Sequence, residues 1–134
     1  MKEKVLVSAC LCRKKCRYDG KVLDAKFKES IGKFYRIIPV CPEQSGNLPT
    51  PRKKSFITDS KNGRDVLIGR AKVVNEEGKD VTKNFIKGAK TALELALKHK
   101  IKKAFLKSRS PSCGEKGVTS ALLKKSGIKI EWVD

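Results

Sequence analysis

Apolar residues fall in short runs between polar, lysine-rich stretches, and their spacing predicts the elements. Lys4–Leu11 is a brief run containing Val5 and Val7 and no breaker, the pattern of a buried strand. Tyr35–Val40 is a second strand, in which Pro39 predicts that ladder pairing has finished. Lys102–Leu106 is a third, and Ile128–Val133, alternating Ile128, Ile130 and Trp132, closes the sheet. Asp24–Lys33 predicts a short helix with Phe27 and Ile31 four apart and Gly32 near its end. Asp80–His99 predicts the longest helix. Asp80 suits its N-cap, and Phe85, Ala89, Ala92, Leu93, Ala96 and Leu97 form an apolar stripe at spacings of three and four. Val118–Ser126 reads as a last helix ended by Gly127 at C′.

The middle of the chain is less regular. Lys14–Gly20 is a polar loop, and Gln44–Arg52, with Ser45-Gly46-Asn47 and two prolines, is another, of the kind that covers something. Val66–Val74 is β-prone and Asn75–Gly78 turns the chain, which predicts an antiparallel excursion at the sheet edge or above a site. Strand–helix–strand alternation predicts one α/β domain over residues 1–134. The expected form is a Rossmann-like three-layer sandwich with a mainly parallel sheet and right-handed crossovers.

Composition narrows the class. At 134 residues the chain is long enough to bury a core without disulfides or a structural metal. No apolar run approaches the ~20 residues of a membrane span. Met1-Lys2-Glu3-Lys4 leads straight into a strand rather than a signal-peptide core, so a cytoplasmic setting is expected. The formal net charge is +18, which would attract polyanions. Lysines are spread through every segment, however, and no recognition helix or aromatic RNA motif accompanies them, so a lysine-rich solvated surface explains the charge equally well.

The cysteines change the picture more. Five is an odd number, and in a reducing compartment clustered cysteines point to metal binding or catalysis, the alternative being inert buried thiols. Cys10, Cys41 and Cys113 each follow an apolar run; if those runs are parallel strands, all three emerge at the edge where open α/β folds bind ligands. There is no C-x-x-C pair and the one histidine, His99, ends a surface helix, which fits neither zinc patterns nor a Cys–His hydrolase. Three thiolates match better with a cubane iron–sulfur cluster in which one iron lacks a protein ligand. Glu43, two residues past Cys41, is placed as a general acid or base. Ser110 and Ser112 flank Pro111 just before Cys113-Gly114, ahead of a helix N-terminus that favours anions. The simpler explanations are an exposed loop glutamate and serines that only cap a helix.

Five motifs then resemble a known family. Ser8-Ala9-Cys10, Cys16-Arg17-Tyr18-Asp19-Gly20, Pro39-Val40-Cys41-Pro42-Glu43, Leu48-Pro49-Thr50-Pro51-Arg52 and Ser110-Pro111-Ser112-Cys113-Gly114 are similar to the thiouracil desulfidase family. Asp80-Val81-Thr82 and Gly117-Val118-Thr119 continue the match in order along nearly the whole chain. The resemblance implies a [4Fe–4S] cluster on Cys10, Cys41 and Cys113, and removal of sulfur from 2-thiouracil-like bases or nucleotides without net redox. It implies that Glu43 and Ser110 move protons while water attacks the thiocarbonyl carbon, with Cys16 and Ser112 near the site. Cys12 and Arg13 stand where the family usually has an aliphatic residue and a glycine. The stretch from Gly114 to Gly117 is shorter than the family's, which bears on substrate identity and activity more than on cluster binding. The alternative from another class is a nucleic-acid-associated module holding a structural zinc, and a redox sensor is a third.

Overall fold

The computed structural model describes residues 2–134. It begins with β1 (Glu3–Ser8), a 3₁₀ turn (Ala9–Cys12), α1 (Lys26–Ile31), β2 (Tyr35–Val40) and the one-turn α2 (Pro42–Ser45). β3 (Ser55–Ile57), α3 (Gly63–Leu67) and β4 (Val73–Asn75) follow. The chain finishes with α4 (Thr82–Lys98), β5 (Lys103–Lys107), α5 (Val118–Lys125) and β6 (Lys129–Val133).

Four strands pair in parallel in the order β2-β1-β5-β6. From β1 the chain goes first to β2 on one side and later to β5 on the other, so the order reverses beside β1. The loops leaving β1 and β5 part there and open a crevice beyond the strands' C-terminal ends. The period of two sorts side chains between faces. Leu6, Val40, Ala104 and Leu106 pack with Ala92 and Ala96 of α4 and Leu123 of α5. Val5, Val7 and Phe105 pack on the other side with Phe27 and Ile31 of α1. This is the expected three-layer α/β arrangement, helix on both faces of a parallel sheet.

Several elements differ from their sequence expectation, each for a physical reason. β1 ends at Ser8, because Ala9–Cys12 tightens into a 3₁₀ turn rather than continuing to Leu11. β2 pairs with β1 through Val40, with Pro39 opposite Val7. An edge strand tolerates a proline, whose missing N–H faces no neighbour. α1 is two residues shorter at each end than Asp24–Lys33, and the Asp24 carboxylate instead accepts the Lys26 N–H at 3.0 Å. The β-prone Val66–Val74 splits. Asn62 and Asp65 form a reciprocal capping box that starts α3, leaving only Val73–Asn75 to pair antiparallel with Ser55–Ile57. Asp80 lies one residue outside the N-cap of α4 yet accepts the Thr82 N–H at 2.9 Å. Leu97 is exposed, because the buried row runs Phe85, Ala89, Ala92, Ala96.

Two positions in these connections carry their own predictions. Arg13 closes the 3₁₀ turn at φ 60°, ψ 30°, the left-handed region that costs a side-chain-bearing residue about 1–2 kcal/mol. Glycine relieves that strain but loses about 0.5–1 kcal/mol in chain entropy. Arg13→Gly is therefore expected to raise stability by roughly 0.5–1 kcal/mol, read as a higher denaturant midpoint. Gly88 lets α4 meet α2: a Cβ there would overlap the Pro42 carbonyl group. Alanine favours the helix by about 1 kcal/mol, but the overlap is backbone against backbone. Gly88→Ala is expected to destabilise by about 1–3 kcal/mol net and to loosen the segment bearing Cys41 and Glu43, measured by denaturation.

Candidate metal centre

Three neighbouring strands deliver the three predicted thiols. Cys10 lies in the 3₁₀ turn after β1, Cys41 is the N-cap of α2 after β2, and Cys113 lies in the turn between β5 and α5. With Cys16 they line one cavity of about 310 Å³, whose walls also include Glu43, Ser110, Arg52 and Ser8. Thus Cys10, Cys41, Cys113, Glu43, Ser110 and Cys16 share a single space. Ser112 does not line it: its hydroxyl is buried and pairs with the Thr119 hydroxyl at 2.9 Å, tying the Cys113 loop to α5. Cys12 is also absent from the walls and packs in the core that faces α1. Two larger depressions, about 520 and 530 Å³, hold no thiol other than Cys41, which borders the first.

Hydrogen bonds and charge set the state of each thiol. The Cys16 side chain interacts with those of both Cys10 and Cys41. That contact, foremost, holds Cys10 below the usual thiol range against its burial. It also holds Cys41 down to about 7, helped by the Gln44 N–H and the Arg52 guanidinium. Cys16 is pushed up in return, because it keeps its proton between two sulfurs that compete to be thiolates. Burial pushes Cys113 up, opposed by a hydrogen bond from the Ser8 hydroxyl. The Ser8 oxygen also accepts the Lys107 N–H at 2.9 Å, so one side chain joins the ends of β1 and β5 to Cys113. Cys12 is raised by burial.

Glu43 is held by a buried arginine. Arg52 Nε donates to Glu43 Oε1 at 3.1 Å, and the two side chains are 6% and 15% exposed. The remaining Arg52 donors go to Pro49 O, Thr50 Oγ1 and Cys16 O at 2.9–3.1 Å. This fork aims the carboxylate and pins the loop bearing Cys16, leaving Glu43 Oε2 free of protein partners among the described residues. Ser110 Oγ accepts the backbone N–H groups of Ser112 and Cys113 at 3.0 and 3.1 Å. Its own proton remains available to a ligand in the cavity. Arg52 and Ser8 were not singled out as site residues from sequence. Both stood inside motifs, Leu48–Arg52 and Ser8–Cys10, but only the fold shows which way their side chains turn.

The donor set fits an iron–sulfur cluster. Among the described residues, no three potential ligands close around a single ion. Four soft thiols instead ring a cavity, with no imidazole among its walls. Arg17, Arg52, Lys54, Lys107 and Arg109 line it against one acid, Glu43, a field suited to an anionic cluster and its thiolates.

The chain is similar to known proteins. The family profile described as 2-thiouracil desulfurase matches residues 5–132. The chain is 34% identical over 141 aligned positions to the uncharacterized protein YbbK of Bacillus subtilis (strain 168), covering 94% of this chain and 93% of that one. It superposes with a TM-score of 0.81 and 36% identity on the [4Fe-4S]-dependent thiouracil desulfidase TudS, over 98% of this chain and 91% of that one. This chain belongs to the 2-thiouracil desulfurase family.

Proposed function

We propose that the protein is an iron–sulfur-dependent desulfidase that converts a thiolated nucleobase such as 2-thiouracil, with water, to the oxo base and hydrogen sulfide. The single observation that carries this reading is the convergence of Cys10, Cys41 and Cys113 with Glu43 and Ser110 on one cavity at the C-terminal edge of the sheet. Cys10, Cys41 and Cys113 would hold the [4Fe–4S] group. When bound, it supplies a thiophilic, Lewis-acidic iron position that polarises the thiocarbonyl sulfur.

The chain's own residues do the rest. Arg52 fixes one oxygen of Glu43, so Oε2 is the oxygen that takes a proton from the attacking water. Water's oxygen bonds to the thiocarbonyl carbon as the C–S bond breaks. The Ser110 hydroxyl, steadied by two N–H groups, donates toward the departing sulfur. Both protons of water end on sulfur, so no electrons are needed.

Sulfide release from 2-thiouracil by anaerobically reconstituted protein tests the reading, with iron and acid-labile sulfide measured on the same sample. A loaded protein that releases no sulfide from any thionated base would sink it. The +18 charge and the cationic cavity walls support a second partner, RNA bearing a thiolated base. Its affinity is expected to fall steeply with salt. Five free cysteines suit a reducing cytoplasm, and among the described residues no helix is long and apolar enough to cross a membrane.

A further inference from the structure

We propose that the Tyr18 ring is a stacking platform for the flat face of the thiolated base, and so selects planar aromatic substrates over puckered ones with the same polar edge. The inference rests on the desulfidase reading above and deepens it by naming what holds the base. Tyr18 lines the cavity that contains Cys10, Cys41 and Cys113, and it is the only aromatic residue among those walls. It is 38% exposed and belongs to none of the packed cores. The other tyrosine, Tyr35, packs instead against Phe105 with ring centroids 5.6 Å apart. Among the described residues, the Tyr18 ring stacks on no other aromatic side chain.

The turn that carries the ring is fixed. The Gly20 N–H donates to Arg17 O at 3.0 Å and the Lys21 N–H to Asp19 Oδ1 at 2.9 Å, while Gly20 takes φ 73° to close the turn. Arg52 registers this turn to the site. Its backbone N–H donates to Tyr18 O at 2.7 Å, and its Nε holds Glu43 Oε1 at 3.1 Å. One residue therefore sets the spacing between the ring's backbone and the carboxylate that takes water's proton. A thiolated pyrimidine carries its hydrogen-bonding groups and its sulfur along the edge. Its faces carry none and gain by lying against another π surface. The other apolar walls, Ala9, Val40, Pro42 and Pro111, have no π face to offer.

Uracil and 5,6-dihydrouracil are the probes, because dihydrouracil keeps the polar edge but loses the flat π ring. Their binding to reconstituted protein, followed by equilibrium dialysis, is compared in wild type, Tyr18→Ala and Tyr18→Phe, with iron measured on each sample. Wild type is expected to prefer uracil on the order of tenfold, Tyr18→Phe to keep that preference and Tyr18→Ala to lose it. In 2-thiouracil turnover, Tyr18→Ala is expected to raise KM on the order of tenfold with a smaller fall in kcat. If alanine lowers the iron content by disturbing the turn, Tyr18→Leu, which fills volume without a π face, reads the same difference. Wild type that binds both probes alike, or neither, overturns the proposal. So does a preference that survives in the alanine variant or vanishes in the phenylalanine one. Wild type that prefers uracil through Tyr18 yet releases no sulfide from any thionated base overturns the desulfidase reading alone.

Discussion

Cys41→Ser is expected to strip the protein of most of its iron and to cut sulfide release from 2-thiouracil on the order of a thousandfold. The magnitude follows from losing several kcal/mol of Lewis-acid stabilisation at about tenfold in rate per 1.4 kcal/mol. Serine fits the volume, but its alcohol does not ionise where a thiol held down to about 7 does. The same loss is expected for Cys10→Ser and Cys113→Ser, because the three come from adjacent strands and none substitutes for another. Cys12→Val is the matched control. Its side chain lies in the core facing α1, so iron per chain and turnover are expected to stay at the wild-type level. Iron content and sulfide release on the four proteins decide the ligand set. A Cys41→Ser protein with full iron and full turnover would remove Cys41 from it.

Glu43→Gln is expected to lower turnover by roughly 10²–10⁴ while leaving iron content near wild type. Glutamine keeps the length and can still accept from Arg52 through its amide oxygen, so the fork that pins the Cys16 loop survives. What is lost is the carboxylate oxygen able to take a proton from water. Single-turnover rates measured beside iron content separate the two effects. Equal falls in both would assign Glu43 to holding the loop, whereas a fall in rate alone assigns it to proton transfer.

Much of the fold was legible because local chemistry dictates it. Val5–Val7 and Ala104–Leu106 are apolar runs too short for helices, and the stripe Phe85-Ala89-Ala92-Ala96 has only one amphipathic solution. Where sequence reasoning missed, a long-range contact overrode local preference. Pro39 argues locally for an end to pairing, but strand order places β2 at an edge where its missing N–H costs nothing. Val66 looked β-prone, but the Asn62–Asp65 box commits the preceding turn to helix. Ser112 and Ser110 are two residues apart in one loop, yet one turns to Thr119 and the other to the cavity.

The sequence by itself determined the kinds of group available: thiols after apolar runs, a glutamate just past one of them, hydroxyls before another, and an excess of cations. It also carried the ordered motifs that mark the family. It did not determine that Cys16 would share a cavity with Cys10 and Cys41, that Arg52 would aim Glu43, or that Cys12 would face away. Those outcomes depend on β1 lying between β2 and β5, a pairing set by burial on both sheet faces across roughly the whole chain. Residues 10, 41 and 113 share one cavity because the sheet closes the distance between them, and no local pattern encodes that closure.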